Sequence, residues 1–230
     1  MKKELIFVLL NGFADWEAAH IAVCINAGVK PGRPVKYITK TLSLTKDPVN
    51  SIGGFKVLPD YDIHTLPEDY AGLVLVGGDN WFSPEAESLV PLVEKMIREN
   101  KLVAGICNAS VFLGKHGFLN YVKHTSNALE YLKNIAGEKY TGDAHYIEEQ
   151  AVRDGNIVTA NGTAQLEFCR EILYALNADE MEVIEESYFV LQKWFLVEWK
   201  KSSLGISFQR EIRALVKLKK VFECRQLPGK

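Results

Sequence analysis

A chain of 230 residues with 47% hydrophobic content is long enough to bury a full core as one α/β domain with an appendage. Its formal net charge of −2 gives no general reason to expect nucleic acid as a partner, and no stretch reaches the length of a membrane span. The 4 cysteines are widely spaced with no Cys-x-x-Cys pair, which argues against a disulfide framework or a zinc ribbon and for reduced thiols in a cytoplasmic setting.

The first predicted element is a buried strand over residues 4–10, ended by Asn11-Gly12; Asp15 and Glu17 follow too soon for this apolar run to read as a secretion signal. Asp15 is expected to cap a helix over 16–27 that stops at Gly28. Trp16, Ala19, Val23 and Ala27 recur at helical spacing, so they are expected to form the apolar face, broadened by Ile21, Cys24 and Ile25; Cys24 is read as core. A second strand is expected at 35–39. Alternating residues over 42–45 and 49–57, around Asp47-Pro48 and Gly53-Gly54, predict a hairpin or a small flanking β element.

Residues 71–76 form the next predicted buried strand, closed by Gly77-Gly78-Asp79, with Asn80-Trp81-Phe82 expected to overhang the strand end. A helix over 84–100 carries Leu89, Val93 and Ile97 on one stripe. The strand 102–106 leads to Cys107 and a short helix, and another helix is predicted at 129–133. Residues 146–152 and 156–159 read as paired strands joined through Asp154-Gly155. A helix over 164–176 places Cys169 among Leu166, Phe168 and Leu173, in the core. Strands alternating with helices predict a flavodoxin-like three-layer α/β sandwich, a mostly parallel sheet with helices on both faces.

The end of the chain is different in kind. From Lys200 onward there are nine Lys/Arg and two Asp/Glu, a charge of +7, while the preceding residues hold 18 basic and 27 acidic groups, or −9. We therefore divide the chain into a domain over 1–178 and a helical, basic extension over 179–230. The extension is read as a long helix over 179–201 with Tyr188, Phe189, Trp194, Phe195 and Trp199, then a basic helix over 208–222. Its aromatics are expected to pack on the domain or on a second subunit, and a homodimer is the expected assembly.

Gly105-Ile106-Cys107-Asn108-Ala109 is the stretch around which the chain is organised. Small residues two places before and after a nucleophile are what a tight, strained strand-to-helix elbow requires. The elbow aims Sγ above the carboxyl edge of the sheet, at a helix N-terminus whose dipole is expected to lower the thiol pKa. Ligands bind at that edge in open parallel sheets. The strand before Gly77-Gly78 ends there too; on glycine chemistry alone this pair reads equally as a tight turn or as the source of an N–H that, with that of Asn108, makes a two-donor oxyanion hole. No Gly-x-Gly-x-x-Gly, P-loop or His-Glu-x-x-His pattern occurs, so no cofactor and no metal are expected.

The first strand followed by Gly-Phe-Ala-Asp-Trp-Glu, the Leu-Val-Leu-Val-Gly-Gly strand, the Gly-Ile-Cys-Asn-Ala elbow and the run Asp154 to Ala160 with Glu167 beyond it resemble the ThiJ/PfpI superfamily. These proteins are class I glutamine amidotransferase-like and often labelled intracellular proteases or amidases; the resemblance covers about residues 3–176. It implies Cys107 as nucleophile, Glu17 as the carboxylic acid beside it, and Gly78 and Asn108 as donors of the oxyanion amides. The substrate implied is a peptide or small molecule with an amide or other carbonyl; related branches act on reactive aldehydes or isonitriles, and a redox-sensing role would use the same thiol. The protease-like branch has a histidine directly after the cysteine, where this chain has Asn108. A histidine must therefore come from elsewhere, with His124 the first candidate and His145 the second; His116 is read as a helix end, His20 and His64 as surface or packing residues.

Overall fold

The computed structural model describes residues 2–204, with side-chain surroundings through residue 192. Seven strands form one sheet: β1 (Lys3–Val8), β2 (Tyr37–Ser43), β5 (Tyr61–Asp62), β6 (Gly72–Leu75), β7 (Leu102–Ile106), β8 (Ala151–Asp154) and β9 (Ile157–Ala160). A separate antiparallel hairpin pairs β3 (Val49–Asn50) with β4 (Lys56–Val57). The sheet order is β5-β2-β1-β6-β7-β9-β8, parallel throughout except where β8 turns back on β9 through Gly155.

The central strands are buried on both faces, which is why they read as continuous apolar runs. Their two-residue period divides the core. Leu5, Phe7 and Leu9 face one layer with α1 (Asp15–Ala27) and α5 (Gln165–Ala175), where Ile21, Ile25, Phe168 and Ile172 pack. Ile6, Val8 and Leu10 face the other, with α2 (Val90–Arg98), α3 (Asn108–Lys115) and α4 (Leu129–Ala136), where Val93, Met96, Phe112 and Leu132 pack. This is the flavodoxin-like three-layer arrangement, and the sixth helix, α6 (Met181–Leu204), follows it.

Several local expectations differ from the structure. Residues 16, 19, 23 and 27 form the outer face of α1, with Trp16 46% and Val23 62% exposed; Glu17, Ile21 and Ile25 face inward. The helix is apolar nearly all round, so spacing alone does not select a face, and the sheet decides it. Asp15 lies inside the first turn and Ala14 is the cap residue; the carboxylate accepts the Gly53 N–H at 2.8 Å, tying α1 to the β3–β4 hairpin. The stretch 84–100 opens as a 3-10 helix at Pro84–Leu89 and becomes α-helical at Val90, where Pro91, lacking an N–H, sits in the first turn. Trp81 does not overhang the sheet edge: it is fully buried, its ring 4.9 Å from that of Phe112 and its Nε1 donating to the Val76 carbonyl.

The start of α6 is docked on the domain. Ile184 and Phe189 are buried, Tyr188 donates to Glu167 and lies under the Arg170 guanidinium, and Arg33 pairs with Asp179. Ser187 donates to the Val29 carbonyl at 3.1 Å. The side chains of Trp194, Phe195 and Trp199, and the basic helix expected over 208–222, lie outside the described residues.

Candidate active site

Cys107 joins β7 to α3 with φ 56° and ψ −129°, a conformation costly for a residue with a Cβ and held here by the packed elements on either side. The small flanking residues have a direct cause. A Cβ on Gly105 would stand 2.8 Å from Leu113 and 3.3 Å from the Ala109 carbonyl, so β7 and α3 could not close on each other. Ser110 Oγ donates to the Cys107 carbonyl at 2.6 Å and shares a 2.8 Å hydrogen bond with Ser126 Oγ, which binds the elbow to the segment before α4.

Glu17 enters from the first turn of α1. It is only 1% exposed; its Oε2 accepts the Gly77 N–H at 2.8 Å, and its buried Oε1 has no hydrogen-bond partner in the structure. A Cβ on Gly162, just past β9, would stand 3.0 Å from Cys107 Sγ and 3.2 Å from Glu17 Oε1, so thiol and free carboxyl oxygen border one small space. Gly77 closes the opposite side, where a Cβ would lie 2.3 Å from Glu17 Oε2 and 2.6 Å from Cys107 Cβ. Burial pushes the Glu17 carboxyl up to about 7, opposed by the Gly77 N–H and the neighbouring thiol.

The thiol itself departs from expectation. Burial pushes Cys107 above its ordinary value, and the Glu17 charge adds to the rise; the Asn127 amide and the Asn108 N–H pull it back. The helix N-terminus does not lower the thiol pKa here, because burial, with the Glu17 charge added to it, outweighs the dipole.

Asn127 is the side chain that reaches sulfur. Its Nδ2 donates to Sγ at 3.4 Å, while its Oδ1 accepts the Gly162 N–H at 2.9 Å, which fixes the orientation of the amide. The Gly162 carbonyl in turn accepts the Trp16 indole N–H at 3.0 Å. His124 is not brought to the thiol. It is fully buried, with Nδ1 2.7 Å from the Val122 carbonyl and Nε2 2.7 Å from Tyr140 Oη, so both ring nitrogens are engaged away from the site. Burial lowers its pKa, as suits a neutral packing imidazole. Exposed His145 contributes its carbonyl to the His124 N–H, and His116 ends α3 between Phe112 and Phe118. Together with Thr125, whose N–H donates to Thr159 Oγ1 at 2.8 Å, His124 holds the segment that aims Asn127.

Gly78 (φ 155°) packs against the Gly12 carbonyl, where a Cβ would stand 2.6 Å away. The Asn108 side chain donates to the Gly78 carbonyl at 3.3 Å and accepts from Tyr131 Oη at 3.2 Å, bracing the glycine pair against α3 and α4. Sequence reasoning missed Asn127, Gly162 and Tyr131; the Thr-Ser-Asn sequence before α4 carried no pattern that marks it. A cleft of ≈ 560 Å³ runs from Asn127 past Leu129, Tyr146 and Gln150, and Glu130, Glu148 and Glu149 line it.

The DJ-1/PfpI family model matches residues 2–175. A Bacillus subtilis relative named uncharacterized protease YdeA is 38% identical over 189 residues, 82% of this chain and 90% of its own length. Its namesake in kind, uncharacterized protease YoaZ of the same organism, is 27% identical over 190 residues, 81% of this chain and 89% of its own. Among solved structures, a thiJ/pfpI family protein from Bacillus anthracis superposes with TM-score 0.78 at 28% identity, covering 84% of this chain and 92% of that one. A DJ-1 superfamily protein from Agrobacterium tumefaciens gives TM-score 0.72 at 36% identity, with coverage of 84% and 99%.

Proposed function

The chain belongs to the DJ-1/PfpI family, and from that premise we propose that it is a cysteine-dependent enzyme acting on an amide or other small carbonyl substrate. The observation that carries this reading is the pairing of Cys107 with a buried Glu17 carboxyl whose pKa of about 7 suits it to both accept and donate a proton at neutral pH. The thiol passes its proton to ionised Glu17 as sulfur attacks the carbonyl carbon. The oxyanion is received by the N–H groups of Asn108 and Gly78. Glu17 then returns the proton to the leaving group and, in a hydrolysis, takes one from the incoming water. No histidine is needed in this cycle, in keeping with the engaged nitrogens of His124.

The cleft beside Asn127 has the size of a small-molecule or short-peptide site, and its three glutamates disfavour anionic substrates. The protease names of the Bacillus relatives support the amide side of the reading. Free Cys24, Cys107 and Cys169 fit a reducing, cytoplasmic setting, and among the described residues no helix is long and apolar enough to cross a membrane. A homodimer is part of the proposal: exposed Trp16 and Val23 on α1 and Ile52, Phe55 and Leu58 on the hairpin offer apolar surface to a second copy. Light scattering at micromolar concentration checks it, and a monomer mass rejects it.

The enzymatic reading is tested by incubating the protein with chromogenic amides, short peptides and small α-oxoaldehydes, following turnover and trapped adducts by mass spectrometry. An adduct on Cys107, with turnover absent in Cys107→Ser, is expected; turnover that survives this substitution overturns the reading. A redox-sensing role is the second reading, favoured by the protonatable Glu17 and the Asn127 amide, two donors able to hold an oxidised sulfur. Conversion of Cys107 to the sulfinate by mild peroxide, without turnover of any carbonyl substrate, selects it.

A further inference from the structure

A second pair of sulfurs lies away from the site, and neither the family match nor the proposed chemistry uses it. Cys24 on α1 and Cys169 on α5 are 145 positions apart in sequence, yet their Sγ atoms are 3.8 Å apart. Two thiols in van der Waals contact need to close by less than roughly 2 Å to reach a bonded S–S length, a shift that side-chain rotation and a small helix displacement can supply. Cys169 is buried among core residues, while Cys24 is half-buried at a crevice between α1, α5 and α6 whose walls include Arg170, Ser187 and Tyr188.

We propose that Cys24 and Cys169 are a modification site of their own, a dithiol that peroxide converts to an intramolecular disulfide between α1 and α5. The half-buried partner reacts first. Contact with Cys169 lowers the Cys24 pKa while that of Cys169 is raised, so Cys24 is the thiol that ionises. Its thiolate attacks one peroxide oxygen and the O–O bond breaks; the sulfur becomes a sulfenic acid and the departing oxygen leaves as water after taking a proton. Cys169 sulfur then attacks the Cys24 sulfur; the S–O bond breaks, the thiol proton leaves with the oxygen, and a second water forms. The two sulfurs together lose two electrons and two protons, and one hydrogen peroxide becomes two waters. A small-molecule dithiol reverses the change by thiol–disulfide exchange.

The link would join the helix that carries Glu17 to the helix on which α6 docks, closing a long loop of chain. It is independent of the carbonyl chemistry at Cys107 and stands or falls separately. The full chain, reduced and then treated with equimolar hydrogen peroxide, is mapped by non-reducing peptide mass spectrometry after alkylation of free thiols. A cross-linked Cys24–Cys169 peptide lacking two hydrogens is expected, formed equally in Cys107→Ser, lost on dithiothreitol treatment and accompanied by a rise in thermal midpoint. Recovery of Cys24 and Cys169 as separately alkylated or separately oxidised peptides overturns the proposal, as does a disulfide from either to Cys107 or Cys224 in place of this pair.

Discussion

Asn127 Nδ2 stands 3.4 Å from Cys107 Sγ, and the Gly162 N–H on Asn127 Oδ1 leaves the amide no other orientation. A neutral donor that cannot titrate thus occupies the position from which a histidine would exchange protons with sulfur. In the chemistry proposed above, proton transfer at the thiol is assigned to Glu17. Asn127→Ala removes a donor that lowers the thiol pKa. The midpoint of Cys107 alkylation against pH is expected to rise, with a slower reaction at neutral pH. Iodoacetamide kinetics by peptide mapping give the midpoint, and an unmoved value would show the contact to be incidental.

Glu17 makes stability depend on pH with a definite sign. Its folded pKa, about 7, exceeds the ordinary 4.5, so its contribution is full below the lower value and is lost as pH rises through the upper one. The shift corresponds to roughly 3 kcal/mol between pH 4 and pH 8. Glu17→Gln keeps an acceptor for the Gly77 N–H and has no charge to bury. Relative to the wild type it is expected to gain stability on going from pH 4 to pH 8 while losing turnover by about a hundredfold or more. Urea titrations at both pH values check the first part; a difference that does not change with pH refutes it.

Gly162 and Gly77 separate chemistry from folding. A methyl group at Gly162 meets Sγ at 3.0 Å and Glu17 Oε1 at 3.2 Å, filling the space the reacting carbon would enter. Gly162→Ala is expected to fold and to lose kcat/KM by on the order of a hundredfold. Gly77→Ala meets Glu17 at 2.3 Å, Cys107 Cβ at 2.6 Å and the Ile106 carbonyl at 2.9 Å, with backbone among them. It is expected to cost about 1–3 kcal/mol of stability as well. Thermal melts beside activity assays distinguish the two, and equal loss of stability in both contradicts this division.

A chain ending at Ala178 loses the docked start of α6. It exposes the surface under Ile184 and Phe189, each worth about 1.5–3 kcal/mol when buried, and removes the partner of Arg33. The thermal midpoint is expected to fall by on the order of 10 °C. Cys107 alkylation should stay within about twofold of the wild type at 25 °C, because the contacts described for α6 fall mainly on α5 and on Val29 and Lys30. If the shorter chain melts unchanged, or its Cys107 falls silent, α6 has a different role.

The layered α/β architecture and the elbow at Cys107 were legible because each rests on short-range constraints, whereas Glu17, far from Cys107 in sequence, was set beside it only by the family resemblance. Central strands of a parallel sheet are apolar on both faces, and an elbow tolerates only small flanking residues. These leave their mark in composition and spacing over a few residues. The tertiary structure alone decided which way α1 turns, since Trp16, Val23, Ile21 and Ile25 are all apolar and only the sheet beneath selects among them. It alone decided that Asn127 reaches sulfur while His124 does not. Only Thr125 and Ser126 separate them in the chain, and hydrogen bonds with Val122, Tyr140, Thr159 and Gly162 set which side chain faces the thiol. It also brought Cys24 to Cys169 from 145 positions away. Contacts of that separation depend on how whole helices pack, and no local pattern records them.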